Sequence, residues 1–360
     1  MRLTALDVHD VRVVEAAALE PCGGINLIVG ANAAGKTSLL EAIHLLSTGR
    51  SFAATRPTRL VGWGGGPLRI VARVQSGSGA LHRLGLERGA TGAALMRVDG
   101  RSAERVAELA RLLPVVAIHP DSHGLIGGAP AERRRLLDLG LFHVERAFHA
   151  SWQTFRRALA QRNAVIRAGA GSAELDAWDR ELADAGLAID RMRRAYVEGL
   201  ASEVDALMPE LLGAPGRVEL TYRPGFDAEV GLHESLRRSR GRDREQHTTT
   251  VGPQRADLRV RLDGRDVRQR VSRGQQKLLV YLLRLAQARQ LAGAEGCVLL
   301  LDDPGAELDV EHRGRVMAAV LGIGVQAFVT AVDLAAVPLP SAVESKVFHV
   351  EQGRVAEVIQ

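Results

Sequence analysis

Gly30-Ala31-Asn32-Ala33-Ala34-Gly35-Lys36-Thr37 has the spacing of a loop that wraps a chain of phosphates. Backbone N–H groups of such a loop surround a β-phosphate at a helix N-terminus. The lysine reaches the β- and γ-phosphates, and the hydroxyl is offered to Mg2+. The apolar run Ile25–Val29 precedes the loop, and Leu39, Ile43 and Leu46 recur after it at helical spacing. The motif therefore stands in the strand–loop–helix setting it needs, which a glycine-rich turn matching by chance would lack. The candidate nucleotide contacts are Gly30, Ala31, Asn32, Ala33, Ala34, Gly35, Lys36, Thr37 and Ser38, with Lys36 also in a catalytic role and Thr37 as a metal ligand.

Two further segments can complete such a site. Cys297-Val298-Leu299-Leu300-Leu301-Asp302-Asp303 is an apolar run ending in two carboxylates. It reads as a strand buried in a parallel sheet, whose C-terminal end meets the ligand crevice. Asp302 can then hold Mg2+, and Asp303 can orient or deprotonate an attacking water. Many strands end in a turn-forming acid, so this segment gains its meaning from the phosphate loop. Ser272-Arg273-Gly274-Gln275 opens a helix that continues through Leu278, Leu279, Leu282 and Leu285. It reads as a capping box, with Gln275 three residues after Ser272. It also reads as a helix start where Gly274 lets another molecule's phosphate approach the dipole and free N–H groups. The second use takes the geometry of the first.

The elements that must position these groups are legible in outline. Leu3–Val8, Ile25–Val29, Leu68–Val74, Leu81–Leu86, Leu95–Val98 and Val115–Ile118 read as strands, with a tight hairpin turn at Asp99-Gly100. One helix runs from Lys36 to about Leu46 and is closed by Gly49. From Pro130 to Pro209 the period becomes helical. One run carries Leu137, Leu141, Val144, Phe148, Trp152, Phe155 and Leu159, and a second carries Leu175, Trp178, Leu182, Ile189, Met192, Tyr196, Leu200 and Val204. The break Ala168-Gly169-Ala170-Gly171-Ser172 predicts that the two long helices fold back as an antiparallel hairpin. Arg237–Arg244, with Ser, Gly and Asp interspersed, reads as a loop, either a solvated linker or a phosphate-contacting one. Leu258–Leu262 with an Asp263-Gly264 turn, Val298–Leu301 and Ala327–Val332 return to strand. The expectation is a split α/β lobe of residues 1–118 and 250–360, with a helical lobe inserted between them as residues 119–249.

Composition narrows the setting. The chain is 46% hydrophobic and 25% charged, an ordinary globular balance, and no apolar run reaches the roughly 20 residues of a membrane helix. The N-terminus lacks the pattern of a secretory signal, and Cys22 and Cys297 have no metal-ligand spacing, so a cytoplasmic location away from membranes is expected. The net charge of +5 admits an anionic partner without requiring one. Nearly all the positive charge is arginine; Lys36, Lys277 and Lys346 are the lysines.

The phosphate loop, the Ser272-Arg273-Gly274-Gln275 helix start, the Asp302-Asp303 strand end and Ala306-Glu307-Leu308-Asp309 together resemble the ABC-type ATPase head of the SMC and RecF group. Further segments are similar to the RecF family. They are Leu39-Leu40-Glu41-Ala42-Ile43, Gly49-Arg50-Ser51-Phe52, Pro120-Asp121, Leu125-Ile126, Gly128-Ala129-Pro130, Arg133-Arg134, Leu137-Asp138, Gln161-Arg162-Asn163, Gly252-Pro253 and Asp257, so the likeness covers nearly the whole chain. It implies a P-loop ATPase head with a mixed or parallel β core, an antiparallel β subdomain and the helical insertion. It also implies a weak, DNA-dependent ATPase using ATP and Mg2+, which dimerises on ATP and binds single-stranded and gapped or duplex DNA. Such a protein works with RecR and RecO to place RecA at gaps.

In that scheme Ser272, Gly274 and Gln275 of one subunit close on the γ-phosphate held by the other. Asp309 belongs to the loop crossing between sites, Thr330 sits at the switch position that senses the γ-phosphate, and Arg12 corresponds to an arginine near the nucleotide. The sequence departs from the family pattern at Ala33, where a second glycine is common, at Gln254, where histidine is usual, and at Leu136, where an aromatic residue is usual. No clear glutamine loop is present; His119, Pro120 and Asp121 lie about where it would be. A nucleotide-gated protein of the same class without direct DNA contact, and a transporter-type ATPase subunit, are the competing readings. An ATP-linked nuclease would need a further carboxylate cluster, and the sequence offers none with metal spacing.

Overall fold

Continuous apolar runs become strands covered on both faces, and alternating runs become strands covered on one. In the computed structural model, which describes residues 1–53, 60–62, 66–89, 94–169, 171–213, 216–337, 339–340 and 342–358, the chain opens with β1 (Arg2–Val11), β2 (Val14–Leu19), β3 (Ile25–Val29) and α1 (Lys36–Thr48). Next come β4 (Leu68–Gln75), β5 (Leu81–Arg88), β6 (Leu95–Val98), β7 (Arg101–Ala103), α2 (Val106–Leu112) and β8 (Val115–Ile118). The helices α3 (Gly124–Gly127), α4 (Pro130–Val144), α5 (Phe148–Arg167) and α6 (Ser172–Leu212) follow, then β9 (Val218–Arg223), α7 (Gly231–Glu245), β10 (Asp257–Leu262), β11 (Arg265–Asp266) and α8 (Val267–Arg270). The last part holds α9 (Arg273–Ala292), β12 (Val298–Leu301), α10 (Pro304–Glu307), α11 (Val310–Ile323), β13 (Gln326–Ala331), β14 (Ser345–Glu351) and β15 (Arg354–Val358).

The chain forms two compact units: Met1–His123, Leu207–Ala214 and Arg273–Gln360 make the first, and Gly124–Ala206 with Pro215–Ser272 the second. The expected split at 118 and 250 places β10 and β11 with the nucleotide half. They lie in the second unit, because β10 pairs along its whole length with β9.

The first unit contains a mixed sheet in the order β15-β14-β3-β13-β12-β8. Its strands are parallel from β14 to β8, with β15 antiparallel at the edge. Every position of β3, β8, β12 and β13 is buried, which is why their sequences are mostly apolar on both faces, with Asn26, Gln326 and Thr330 as the buried polar exceptions. The second sheet, β2-β1-β4-β5-β6-β7, is antiparallel throughout. Its β4 buries Leu68, Ile70, Ala72 and Val74 on one side. The turn read at Asp99-Gly100 is present with φ of 51° and 80°, the left-handed pair that a two-residue hairpin needs. Leu3, Leu6, Leu39, Leu40, Ile43, Leu84 and Phe328 join one core that links this sheet, α1 and the parallel strands. α1 stops at Gly49, whose φ of 68° turns its N–H onto the Leu45 carbonyl.

In the second unit α5 and α6 lie antiparallel, as the period and the glycine break predict: Arg157 pairs with Glu181, and Arg162 with Asp179. Ala170, within that break, lies outside the described residues. Two expectations are corrected here. The first long helix is two helices, α4 and α5, because the backbone at Glu145 is extended (φ −120°, ψ 105°). Arg237–Arg244 is helix, not loop. Along α7, Leu232, Leu236, Ser239 and Asp243 form its buried face, and the polar members of that face are satisfied inside the unit. Asp243 accepts hydrogen bonds from Arg162, Ser239 and Thr250, and Arg162, fully buried, also donates to Thr249. A helix whose buried stripe is half polar has little hydrophobic period to read.

Candidate nucleotide site

The strand–loop–helix begins where β3 leaves the sheet. A Cβ on Gly30 would stand 2.2 Å from the Val350 carbonyl oxygen, so the backbone of β14 admits only glycine here. Gly353, in the β14–β15 turn, donates its N–H to Ala34 at 2.9 Å, which braces the loop from the other end of the chain. Gly35 has φ 120° and leads into α1, whose N-terminus carries no side-chain cap and no acid in its first turn. Uncapped N–H groups on a helix of this length favour an anion.

Ala33 adopts φ 65°, in the left-handed region. The family's glycine fits this position without strain, whereas an L-residue costs about 1–2 kcal/mol there. Ala33→Gly should therefore stabilise the chain by about 0.5–1 kcal/mol once the freer unfolded glycine is counted. Calorimetry should show a Tm rise of about 1–3 °C, and a fall would mean that the strain is not real.

Lys36 is buried, and its Nζ donates to the carbonyls of Gly30 at 2.7 Å and Ala31 at 2.9 Å. Opposite it, the end of β12 is held by a chain of hydrogen bonds. Thr37 Oγ1 donates to Asp302, 2.9 and 3.0 Å from its two carboxylate oxygens. Thr330 Oγ1 donates to Asp302 Oδ1 at 2.8 Å and accepts the Asp303 N–H at 2.8 Å. The register makes this possible: Leu301 lies between Ile118 and Val329, and the Asp302 N–H bonds the Ile118 carbonyl at 2.9 Å. Burial pushes the Asp302 carboxyl above the usual carboxylate range, while the hydroxyls of Thr330 and Thr37 pull it back. Asp303 turns with φ 46° and ψ 59° and caps α10 through the Ala306 N–H.

Thr330, expected at the switch position that senses the γ-phosphate, is placed at the end of β13 beside both acids. It is fully buried, and its hydroxyl is committed to the two acids, so its position is behind them. Ser272, Gly274 and Gln275 lie at the exposed start of α9. Asp309 caps α11 by accepting the His312 N–H and pairs with the His312 ring; those hydrogen bonds hold its carboxyl below the usual range. Its side chain is 65% exposed, and Val310 beside it is 75% exposed.

Several residues of the site carry a weak signal or none in sequence. Glu41, fully buried on α1, is paired with Arg12 and accepts from Ser51. Arg12 thus braces the phosphate-loop helix. An acid in the apolar segment Leu39–Ile43 was the available clue. Glu307 meets His123 at 3.3 Å, and Lys277 donates to its backbone carbonyl at 3.2 Å. One turn beyond Lys277 on α9, the Tyr281 hydroxyl is buried without a hydrogen-bond partner among the described residues. Burial pushes its pKa well up, and the charges of Glu307, Asp303 and Asp302 add to the effect. His119 stacks on Phe52 with ring centroids 4.7 Å apart. Burial, with Arg284 nearby, lowers its pKa to about 4, so the ring is neutral at ordinary pH.

Among the described residues no cluster of three or more His, Cys, Asp or Glu could enclose a metal. One carboxylate and one hydroxyl, Asp302 and Thr37, are the hard oxygen set that suits Mg2+ shared with phosphates, and a buried carboxyl with a raised pKa gains from a cation.

A parallel sheet with a phosphate loop after one strand and paired acids after another defines a P-loop nucleotide-binding head. The comparisons with known proteins carry the assignment further. The RecF/RecN/SMC N terminal domain model matches residues 2–355. The DNA replication and repair protein RecF of Thioalkalivibrio sulfidiphilus is 43% identical over 356 residues, covering 98% of both chains. That of Pseudomonas fluorescens is 40% identical over 362 residues, covering 99% of this chain and 98% of its own. A solved structure of the recombination mediator protein RecF-ATP in the RecFOR pathway superimposes with TM-score 0.88 at 27% identity, covering 99% of each chain. The Smc head domain of Pyrococcus furiosus shares the fold, with TM-score 0.59 at 15% identity over 99% of this chain and 95% of its own. The chain belongs to the RecF family.

Proposed function

We propose that the chain binds ATP with Mg2+ in the first unit, closes on it as a homodimer, binds DNA at gaps or single-strand–duplex junctions, and hydrolyses ATP slowly. The observation that carries this reading is the bonded series Thr37–Asp302–Thr330–Asp303 facing the Lys36 loop. Bound ATP would supply the anhydride to be cleaved, and Mg2+ its charge neutralisation. The chain's residues do the rest. The loop N–H groups and Lys36 hold the phosphates, Thr37 and Asp302 present oxygens to the cation, and Asp303 orients or deprotonates the water. Ser272, Gly274 and Gln275, exposed at the head of α9, complete the site of a second copy, and Asp309, exposed at the start of α11, belongs to the loop that crosses between the two sites. The second unit is the inserted lobe.

Membership of a family of DNA replication and repair proteins, and likeness to a RecF of the RecFOR pathway, support a place beside RecO and RecR in bringing RecA to gapped DNA in the cytoplasm. No helix among the described residues is long and apolar enough to cross a membrane. Light scattering with and without ATP and Mg2+ tests the central step. The mass should double with ATP, and more so with gapped duplex present. A chain that binds ATP and stays monomeric would sink it.

A further inference from the structure

The antiparallel sheet of the first unit buries one face and shows the other to solvent, and the exposed face is basic. Along β4, β5 and β6 the positions opposite the core are Arg69, Val71, Arg73 and Gln75, then Leu81, Arg83, Gly85 and Glu87, then Leu95 and Arg97. Arg69, Arg73, Arg83 and Arg97 are all exposed. Arg73 stands directly across from Arg83, and Arg97 across from Gly85, which offers no side chain between them. Like charges directly opposite are destabilising, yet none of the four makes an ion pair with a described residue. The acids of this face are Glu87, across from Arg69, and Asp7 of β1, across from Val71. Asp99, in the nearby turn, is committed to the His82 ring and the Arg83 N–H.

We propose that this face holds the phosphate backbone of duplex DNA without reading its sequence; the inference rests on the DNA-binding reading above. A polyanion converts the Arg73–Arg83 repulsion into attraction. Adjacent strands about 4.8 Å apart set Arg73, Arg83 and Arg97 across a flat strip about 10 Å wide, against a duplex that carries a charge about every 1.7 Å of its axis. Among the described residues this face bears no aromatic side chain, so these strands offer no stacking platform of the kind by which unpaired bases are held. α7 is also rich in arginine, and its charge is largely answered locally. Arg237 and Arg238 pair with Glu234, and Arg240 with Asp176 and Asp179.

The test is fluorescence anisotropy of the full chain with ATP on a blunt duplex and on a single strand of equal length, from low to moderate salt. Charge reversal in Arg73→Glu/Arg83→Glu/Arg97→Glu should weaken duplex binding about 100-fold and flatten the slope of log K against log salt by about three. The neutral pair Arg73→Gln/Arg83→Gln should lose part of the affinity, keep ATP binding, and melt no lower than the parent. Unchanged duplex affinity and slope in the triple variant, with the parent binding DNA, overturns this surface and leaves the DNA reading intact. A parent that binds no DNA at any salt sinks the DNA reading itself. Equal capture of the parent and loss by the variant on anionic phospholipid vesicles also overturns the proposal, since it shows a general anion surface.

Discussion

Lys36→Ala should leave the chain folded and unable to hold ATP at millimolar concentration. Lys36 is 7% exposed, and its ammonium now donates to two loop carbonyls. Within the loop a phosphate oxygen competes for those same protons, and a charge-assisted hydrogen bond is worth about 1.5–3 kcal/mol. Losing two such bonds, together with the countercharge to a buried triphosphate, amounts to about 3–5 kcal/mol, or about 150- to 4,000-fold in affinity. Isothermal titration with ATP and Mg2+ measures it directly. The variant also strips Gly30 of a donor, so a small drop in Tm is expected and serves as the folding control. An affinity within a few-fold of the parent would mean that Lys36 does not face the phosphates.

How far the site could be read before the fold was known depends on where each residue finds its partners. The phosphate loop is local: its glycines, lysine and threonine lie within one turn of chain, so spacing alone identifies it. The reason Gly30 must be glycine is not local, because the obstructing carbonyl belongs to Val350. The partners of Thr330 were hidden for the same reason, since Asp302 and Asp303 follow the neighbouring strand and only the β12–β13 register reveals that its hydroxyl faces them. The parallel strands β3, β8, β12 and β13 were legible because burial on both faces leaves mostly apolar runs, whereas β14, buried only at some positions, was not. The division between α4 and α5 was not, because Leu137, Leu141, Phe148 and Phe155 bury at helical intervals on both sides of the break. α7 hides for the opposite reason. Its buried Ser239 and Asp243 look like loop residues until Arg162, from α5, is seen to satisfy Asp243.

Asp303→Asn should keep ATP binding, lose hydrolysis and accumulate dimers. The substitution is structurally quiet at this position. Asp303 holds a left-handed backbone, which asparagine also tolerates, and caps α10 through one oxygen, which asparagine also provides. Its N–H still donates to Thr330, so the Asp302–Thr330 bond that presents the metal-binding carboxylate is undisturbed. What is removed is a base. General-base assistance is worth about 10²–10⁴-fold, and kcat should fall by that amount while the ATP Kd changes less than about threefold. Asp302→Asn should behave differently. Both threonine hydroxyls donate to Asp302; an amide keeps one acceptor oxygen where the carboxylate offers two, and the cation loses its charged ligand, so nucleotide affinity itself should fall. Single-turnover hydrolysis and light scattering in ATP separate the two variants. If Asp303→Asn turns over at the parent rate, the water is activated elsewhere, and Glu307, with the unpartnered Tyr281 hydroxyl beside the same acids, becomes the next group to substitute.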